Sequence, residues 1–453
     1  MEVKAPLGDW ENPFDPSLSR PLMAARFAGA ALLIGAVISG VSALEWMSIP
    51  VLLWVLLVIW GRYVLFAENL HSLPHLRANA SRQTVPLPLP TVSLIVAARN
   101  EEVGIESAVR ALAAIDYPGL EILIIDDHSS DATPRILQRL ACEFPHLRVL
   151  AAPEVPDGWT GKTHACWFGF LQSNPGSRWL LFTDARVIFS RNAVCRAVSH
   201  AEATRSGFLS CIDRFDGENL AEELIAIIQN RGLVINARAF GGGAPAAPFA
   251  LGHFMLIRRD VYAACGGHSL FPGYLLEDFR LAESAQRCGA TTSAAIASEL
   301  LSIRRYHGFA DMRQRIMRNL RRVASDSVVD LVNRISLELL LGVLPLPLAI
   351  GGLLRLGATR GLQPALAVIS LLAFLAYLAG TCTPRNCRGI CRFRSWVVWL
   401  HPLGAALWTW LLLLAIAERL RGQPISWRGR TIYAPTPAAP ASRSSVVGGD
   451  GLK

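Results

Sequence analysis

Apolar residues in this chain fall into two kinds of run. Long unbroken ones occupy Phe27 to Leu44, Ile49 to Phe66, Leu337 to Leu354, Pro364 to Gly380 and Val397 to Ala417. Each approaches the roughly 20 residues that a helix needs to cross a bilayer. Short ones lie between the second and third. Val92 to Ala97 and Leu120 to Ile125 read as strands buried in a parallel sheet, and helical spacing at Val103, Ala108, Leu112 and Ile115 joins them. The pattern predicts a βαβ unit, with WLLF at 179–182 and FMLIRR at 254–259 as further strands. It divides the chain into an N-terminal transmembrane hairpin (1–70), an α/β domain (88–310), an amphipathic interfacial helix (311–336), C-terminal transmembrane helices (337–418) and a tail rich in Ala, Pro, Ser and Gly (434–453), read as disordered.

Composition supports the membrane part, since 52% of residues are hydrophobic and only 17% charged. Neither N-terminal apolar run resembles a cleaved signal peptide, because no small-residue cleavage site closes the first and a second span follows at once. The formal charge of +9 is concentrated in Arg304 to Arg322, Arg385 to Arg394 and Arg419 to Arg430, beside apolar segments, which points to a membrane surface rather than to nucleic acid. By the positive-inside rule the α/β domain faces the cytoplasm of a multi-pass inner-membrane protein. Five full spans would place the WRGR stretch outside while its arginines argue for inside, so the segment with Pro345 and Pro347 is a candidate re-entrant or interfacial piece. Nine cysteines scattered singly fit a reducing compartment. Cys382, Cys387 and Cys391 cluster without a CxxC pair or fourth ligand, a pattern weaker for zinc than for palmitoylation or packing at the membrane edge.

In open parallel sheets ligands bind beyond the carboxyl ends of the strands. Here those ends carry Ala98, Arg99, Asn100 and Glu101 on one side and Asp126 and Asp127 on the other, with no GxGxxG for a dinucleotide. An acidic pair there suits a base, a ribose or a divalent ion, and a helix cap is the competing reading for Asp127, Ser129, Ser130 and Asp131. The third strand ends in Thr183, Asp184, Ala185 and Arg186 at the same edge. Gly158 to Lys162 is a Gly-rich turn before a predicted helix at 163–171, so Lys162 lies at a helix N-terminus suited to phosphate, although the first glycine of a Walker A loop is missing. Glu277 and Asp278 open another helix, either as acidic first-turn residues or as the carboxylate that takes a proton from an attacking hydroxyl.

Several motifs in one order carry a resemblance: ARNE followed by IDDHSSDAT, PDGWTGKTHA at 156–165, LLFTDARV at 180–187, GHFMLIRRDVYAACGGH at 252–268, LLEDFRLAESAQRCG at 275–289 and the late SWRGRTIY. Over most of residues 20–433 the chain resembles the family 2 inverting glycosyltransferases of GT-A fold, and among them the membrane-embedded branch with hopanoid-associated and carotenoid enzymes. The resemblance implies an α/β, Rossmann-like, mainly parallel sheet plus transmembrane helices. It implies Ala98, Arg99, Glu101 and Asp127 around the nucleoside, Lys162 and Arg186 on the diphosphate, Asp278 as catalytic base and Glu277 as an acceptor contact. The family's Asp-x-Asp holds a divalent ion, Mg²⁺ or Mn²⁺, but here it reads Asp184-Ala185-Arg186. Three readings stay open: a metal on Asp184, metal-free catalysis with Arg186 as phosphate clamp, or an impaired enzyme. Arg318 stands at the comparable place to the family's QxxRW, without its Trp, which argues against a processive synthase. His268 reads as structural. The function implied is transfer of a sugar from a nucleotide diphosphate, expected to be a UDP-sugar, to a membrane lipid of hopanoid or carotenoid type. Transfer to a polyprenyl phosphate or polysaccharide, and a nucleotide-sugar-binding scaffold without turnover, are the alternatives.

Overall fold

The structure is a computed structural model, and it describes residues 16–39, 42–78, 89–236, 249–274, 277–303, 306, 308–326, 328–359, 363–421, 425–427 and 430–432. Residues 241–248, the tail at 434–453 and Arg428 lie outside the described residues.

Four parallel strands form the front of a seven-stranded sheet: β1 (Val92–Ala98), β2 (Leu120–Asp126), β3 (Leu147–Ala151) and β4 (Trp179–Asp184), in the order β3-β2-β1-β4. Met255–Arg258 continues the sheet antiparallel to β4, followed by Phe208–Ile212 and Thr292–Ile296. Two-residue alternation sorts the strand side chains to opposite faces. Leu94, Val96, Ile122 and Ile124 pack with Val109, Leu112 and Leu140 on one face, while Ile95, Leu123 and Ile125 meet Ala165, Phe182 and Tyr262 on the other. The helix Gly161–Gln172 is drawn hard against this second face. A Cβ at its Gly169 would come within 2.5 Å of Ile95 Cγ2, so only glycine permits the approach. The strand order reverses direction at β1 and β4, and the crevice beyond their ends is where such sheets hold ligands. In register, Ala97 faces Asp184 and Ala98 faces Asp126.

Among the described residues three helical stretches are long and apolar enough to cross a membrane: Ala43–Ser72, Pro364–Gly389 and Ser395–Leu420. The pair Val328–Val343 and Pro345–Ala358, bent by 45°, makes a fourth if it is one broken span. The bend follows a π-helical turn, Leu339–Val343, and sits at the prolines that the sequence marked. Helix α1 (Pro16–Ser39) has 24 residues, about 36 Å at 1.5 Å per residue, and packs along Ser42–Ser72. One expectation is corrected. The segment expected over 311–336 as an interfacial helix is helical over Phe309–Asp326 and Val328–Glu338. The apolar residues Met312, Ile316 and Leu320 of the first pack with Tyr306, Leu411 and Leu412, so the helix His401–Leu420 takes the place assigned to lipid.

The apolar helices and the α/β domain are stitched together by backbone. Helix α2 (Ser42–Ser72) exposes Trp46, Leu53, Leu57 and Trp60, then buries Phe66, and with it Leu73 just past its end, in one cluster with Ile212 and Phe215 of the domain. Just past it, Leu76 N donates to Ile296 O and Ile296 N to Pro74 O, at the edge of the main sheet. Cys391–Arg392, in the loop after Pro364–Gly380, pairs in parallel with Phe215–Asp216, within a four-stranded sheet that also holds Leu301–Ile303 and Val187–Phe189. Cys387 and Cys391 are buried in that packing.

Candidate active site

Two constellations occupy the carboxyl edge of the sheet. The first joins the loops after β1 and β2. Asn100 and His128 hold φ of 50° and 54°, a left-handed conformation that β-carbon residues adopt only when their surroundings hold them there. What holds them is a mutual clasp. Asn100 N donates to Ser129 Oγ at 2.9 Å and Ser130 N to Asn100 Oδ1 at 2.8 Å. Glu101 N donates to Thr133 Oγ1 at 2.8 Å, and Asp131 Oδ1 accepts from Thr133 N at 2.9 Å, one residue before the N-cap position that the sequence offered it, which Ala132 holds. Asp127 lies beside the clasp, 4% exposed. Its carboxylate is 3.7 Å from Arg99 Nη1 and 3.3 Å from His128 Nδ1, its carbonyl accepts from Arg99 at 2.8 Å, and its N–H bonds Ala98 O at 2.8 Å.

The second constellation lies about two strand spacings away, roughly 10 Å, on the β4 side. Thr160 caps the helix Gly161–Gln172 by accepting from Thr163 N, and Thr160 N is tied to Pro272 O at 2.8 Å, which fixes Lys162 in the first turn. Its ammonium reaches Asp184 Oδ1 at 2.8 Å and Glu277 Oε1 at 2.7 Å. Asp278, next to Glu277 at the start of the helix Glu277–Arg287, accepts from Gly252 N at 3.0 Å and Phe279 N at 2.9 Å. Gly252 borders the cluster closely: a Cβ there would stand 2.9 Å from Lys162 Nζ, which would have to shift, and 3.7 Å from both Asp278 Oδ2 and Glu277 Oε1. His253 follows, with Nε2 3.8 Å from Asp184 Oδ2 and Nδ1 3.1 Å from Oδ1 of the fully buried Asp213.

Electrostatics separates these carboxyls. Burial opposes charge on Lys162, but Asp184 and Glu277 more than offset it and hold the ammonium well above the ordinary lysine range. Burial likewise opposes ionisation of Asp184, and Lys162, His253 and Arg318 overcome it, leaving Asp184 far below the usual carboxylate range. Asp278 goes the other way. Burial and the neighbouring Glu277 push it up to about 6, against the pull of Lys162 and its two backbone donors.

The structure thus brings Lys162, Asp184, Glu277 and Asp278 together, with Arg318 close enough to act on Asp184. Asp127 stands across β1 from them, while Ala98 and Arg99 lie at the end of β1 itself. Arg186 and Glu101 are ion-paired with one another, and Arg186 Nη1 is 3.9 Å from Asp311. Freeing the guanidinium for a phosphate would require it to leave Glu101. His268 is fully buried and hydrogen-bonded to Tyr262 Oη at 2.7 Å, a packing position. Sequence reasoning missed the Asp213–His253 pair. It had placed Gly252 and His253 beside a strand, but no spacing rule connects His253 to an aspartate 40 residues earlier.

The residues present do not suit a divalent ion. Asp184 and Glu277 are bridged by an ammonium, the second position of Asp-x-Asp is a guanidinium engaged by Glu101, and among the described residues no group of three or more His, Cys, Asp or Glu could hold a metal.

Comparison with known proteins finds a family match over less than half of the chain. Residues 93–266 match the model of the family described as Glycosyl transferase family 2. Beta-monoglucosyldiacylglycerol synthase of Trichormus variabilis is 41% identical over 135 residues, 28% of this chain and 27% of that protein. The Synechocystis protein of the same name is 38% identical over 105 residues, 20% of this chain and 22% of its own length. The chain therefore aligns with only about a quarter of these relatives. Mannosyltransferase PcManGT from Pyrobaculum calidifontis, solved with GDP-Man and Mn²⁺, superposes over 89% of this chain and 99% of its own at 19% identity and a TM-score of 0.47.

Proposed function

We propose that this chain, whose residues 93–266 match the model of Glycosyl transferase family 2, moves a sugar with inversion from a nucleoside diphosphate to the hydroxyl of a lipid. The observation that carries the reading is the convergence of Lys162, Asp184, Glu277 and Asp278 beyond the end of β4, with one carboxyl raised and one lowered. Divergent neighbouring carboxyls are how a site separates a proton acceptor from a fixed anion.

The acceptor oxygen attacks the anomeric carbon on the face opposite the leaving diphosphate, which inverts that centre. Its proton passes to Asp278, and the bonding pair leaves with the diphosphate. A carboxyl titrating near 6 is ionised at neutral pH yet more basic than an exposed aspartate, as proton abstraction favours. Gly252 N and Phe279 N hold its two oxygens in place. Glu277 steadies Lys162 and borders the acceptor. Asp127, Arg99, Ala98 and Glu101 form the nucleoside side, and a uridine diphosphate sugar is the donor we expect. Lys162 meets the diphosphate and neutralises its developing charge, with Asp184 orienting the ammonium and Arg318 adding positive charge near the membrane. The chain itself then supplies the cation that Asp-x-Asp would otherwise recruit.

The apolar helices packed on the domain support a lipid acceptor, as does the glycolipid for which the Trichormus and Synechocystis relatives are named. The arginine distribution supports a domain facing the cytoplasm.

The test is purified full-length protein in lipid nanodiscs, given labelled UDP-sugars and a lipid extract. Label should enter the lipid fraction, and Asp278→Asn should lower kcat by about 10²- to 10⁴-fold while donor binding persists. Donor binding without turnover in the unmodified protein would favour the scaffold reading, and turnover untouched by Asp278→Asn would remove the base assignment.

A further inference from the structure

A cavity lies where the apolar helices meet the catalytic domain, away from the sugar site. Ile59 and Arg62 of α2, Ile228 and Arg231 of the helix Leu220–Asn236, Glu338 and His401 line it. Arg62 marks a boundary along α2: Trp60, one turn or less before it, is 57% exposed on the lipid-facing stretch, whereas Phe66, one turn after, is fully buried against the domain. Trp60 and Tyr63 meet nearby at a tilt with ring centroids 5.4 Å apart, the kind of aromatic pair that sits at a membrane surface. The cavity is therefore at headgroup depth.

Its charges do not balance. Arg231 donates to Glu338 through Nη2, while Arg231 Nε is buried with no hydrogen-bond partner. His401 turns Nδ1 toward Val398 O at 3.3 Å and leaves Nε2 buried and unpartnered. Among the described residues Arg62 makes no hydrogen bond and no ion pair, and Arg26 and Arg334 add positive field from nearby. Two guanidiniums thus face one carboxylate, with three polar groups left unsatisfied. An uncompensated guanidinium at the edge of a hydrocarbon phase is costly unless an anion meets it.

We propose that this cavity binds the phosphate headgroup of an anionic phospholipid, with Arg62 as its principal contact and Arg231 and His401 as further donors. A phosphodiester accepts from a guanidinium fork at two oxygens, and one net negative charge matches the one positive charge left over. Ile59 and Ile228 offer the apolar wall that acyl chains need and a soluble anion does not.

The experiment reconstitutes the full chain in nanodiscs of phosphatidylcholine alone or mixed with phosphatidylglycerol, reading retained lipid by native mass spectrometry and the unfolding midpoint by calorimetry. The protein should retain phosphatidylglycerol over phosphatidylcholine by roughly fivefold or more and unfold at a higher temperature in its presence. Arg62→Gln should abolish most of that preference, and Arg62→Lys, which keeps the charge, should keep much of it. Equal retention of the two lipids by the unmodified chain would overturn the proposal, and that comparison needs no variant to fold. So would an undiminished preference in Arg62→Gln, or inorganic phosphate protecting the protein in phosphatidylcholine discs as well as phosphatidylglycerol does.

Discussion

The two constellations at the sheet edge are built from similar residues by opposite means. Around Asn100 and Ser129 the loops after β1 and β2 are closed by short hydrogen bonds involving backbone N–H groups. Around Lys162 the contacts are ion pairs between side chains, and the same ammonium that bridges Asp184 and Glu277 is the group a diphosphate would attract. One half is a rigid frame. The other is a set of charges able to exchange partners, which is where charge would move in the proposed sugar transfer.

The sharpest way to break this contrast is Lys162→Met. It strands Asp184 and Glu277 as unpaired carboxylates and removes positive charge from the leaving group, so kcat should fall by about 10²- to 10³-fold. The unmodified enzyme should keep its rate in EDTA. Collapse of that rate in EDTA, restored by Mn²⁺, would return the cation's role to a metal. A smaller effect comes from pH. Asp278 must be unprotonated to accept the proton, and its carboxyl is raised to about 6, so kcat/KM should level off above that value and fall about tenfold per unit below it. A profile flat down to pH 4.5 would contradict the assignment. The smallest effect belongs to the frame. Asn100→Ala loses the contact to Ser130 N and places alanine at a φ of 50°, which should lower stability by about 1–2 kcal/mol in calorimetry, with Asn100→Gly costing less. Donor KM should rise modestly in both while kcat holds.

These differences mirror what could be read from the chain beforehand. Local pattern is visible, because period-two and period-3.6 spacing belongs to consecutive residues. Val92 to Ala97 and Leu120 to Ile125 appear as β1 and β2 with one residue added to each, and Lys162 does open a helix. The residues converging beyond β4 follow from strand ends in a parallel sheet together with the family resemblance. Partner choice is not local. Nothing near Arg186 indicates that Glu101, 85 residues earlier, occupies its guanidinium, and Asp213 carries no motif that would join it to His253. The helix expected on the lipid surface over 311–336 was misplaced for the same reason. An amphipathic face states that it needs cover, not whether lipid or the helix His401–Leu420 provides it.

The short pairing of Cys391–Arg392 with Phe215–Asp216 bears on how the protein can be handled. A fragment ended at residue 310 would lose that strand and the helices covering Ile212, Phe215 and Ile225, leaving a raw β edge beside a greasy surface. Such a piece would tend to self-associate in water, so detergent or bilayer mimetics are part of the folded unit and not merely a vehicle for its substrate.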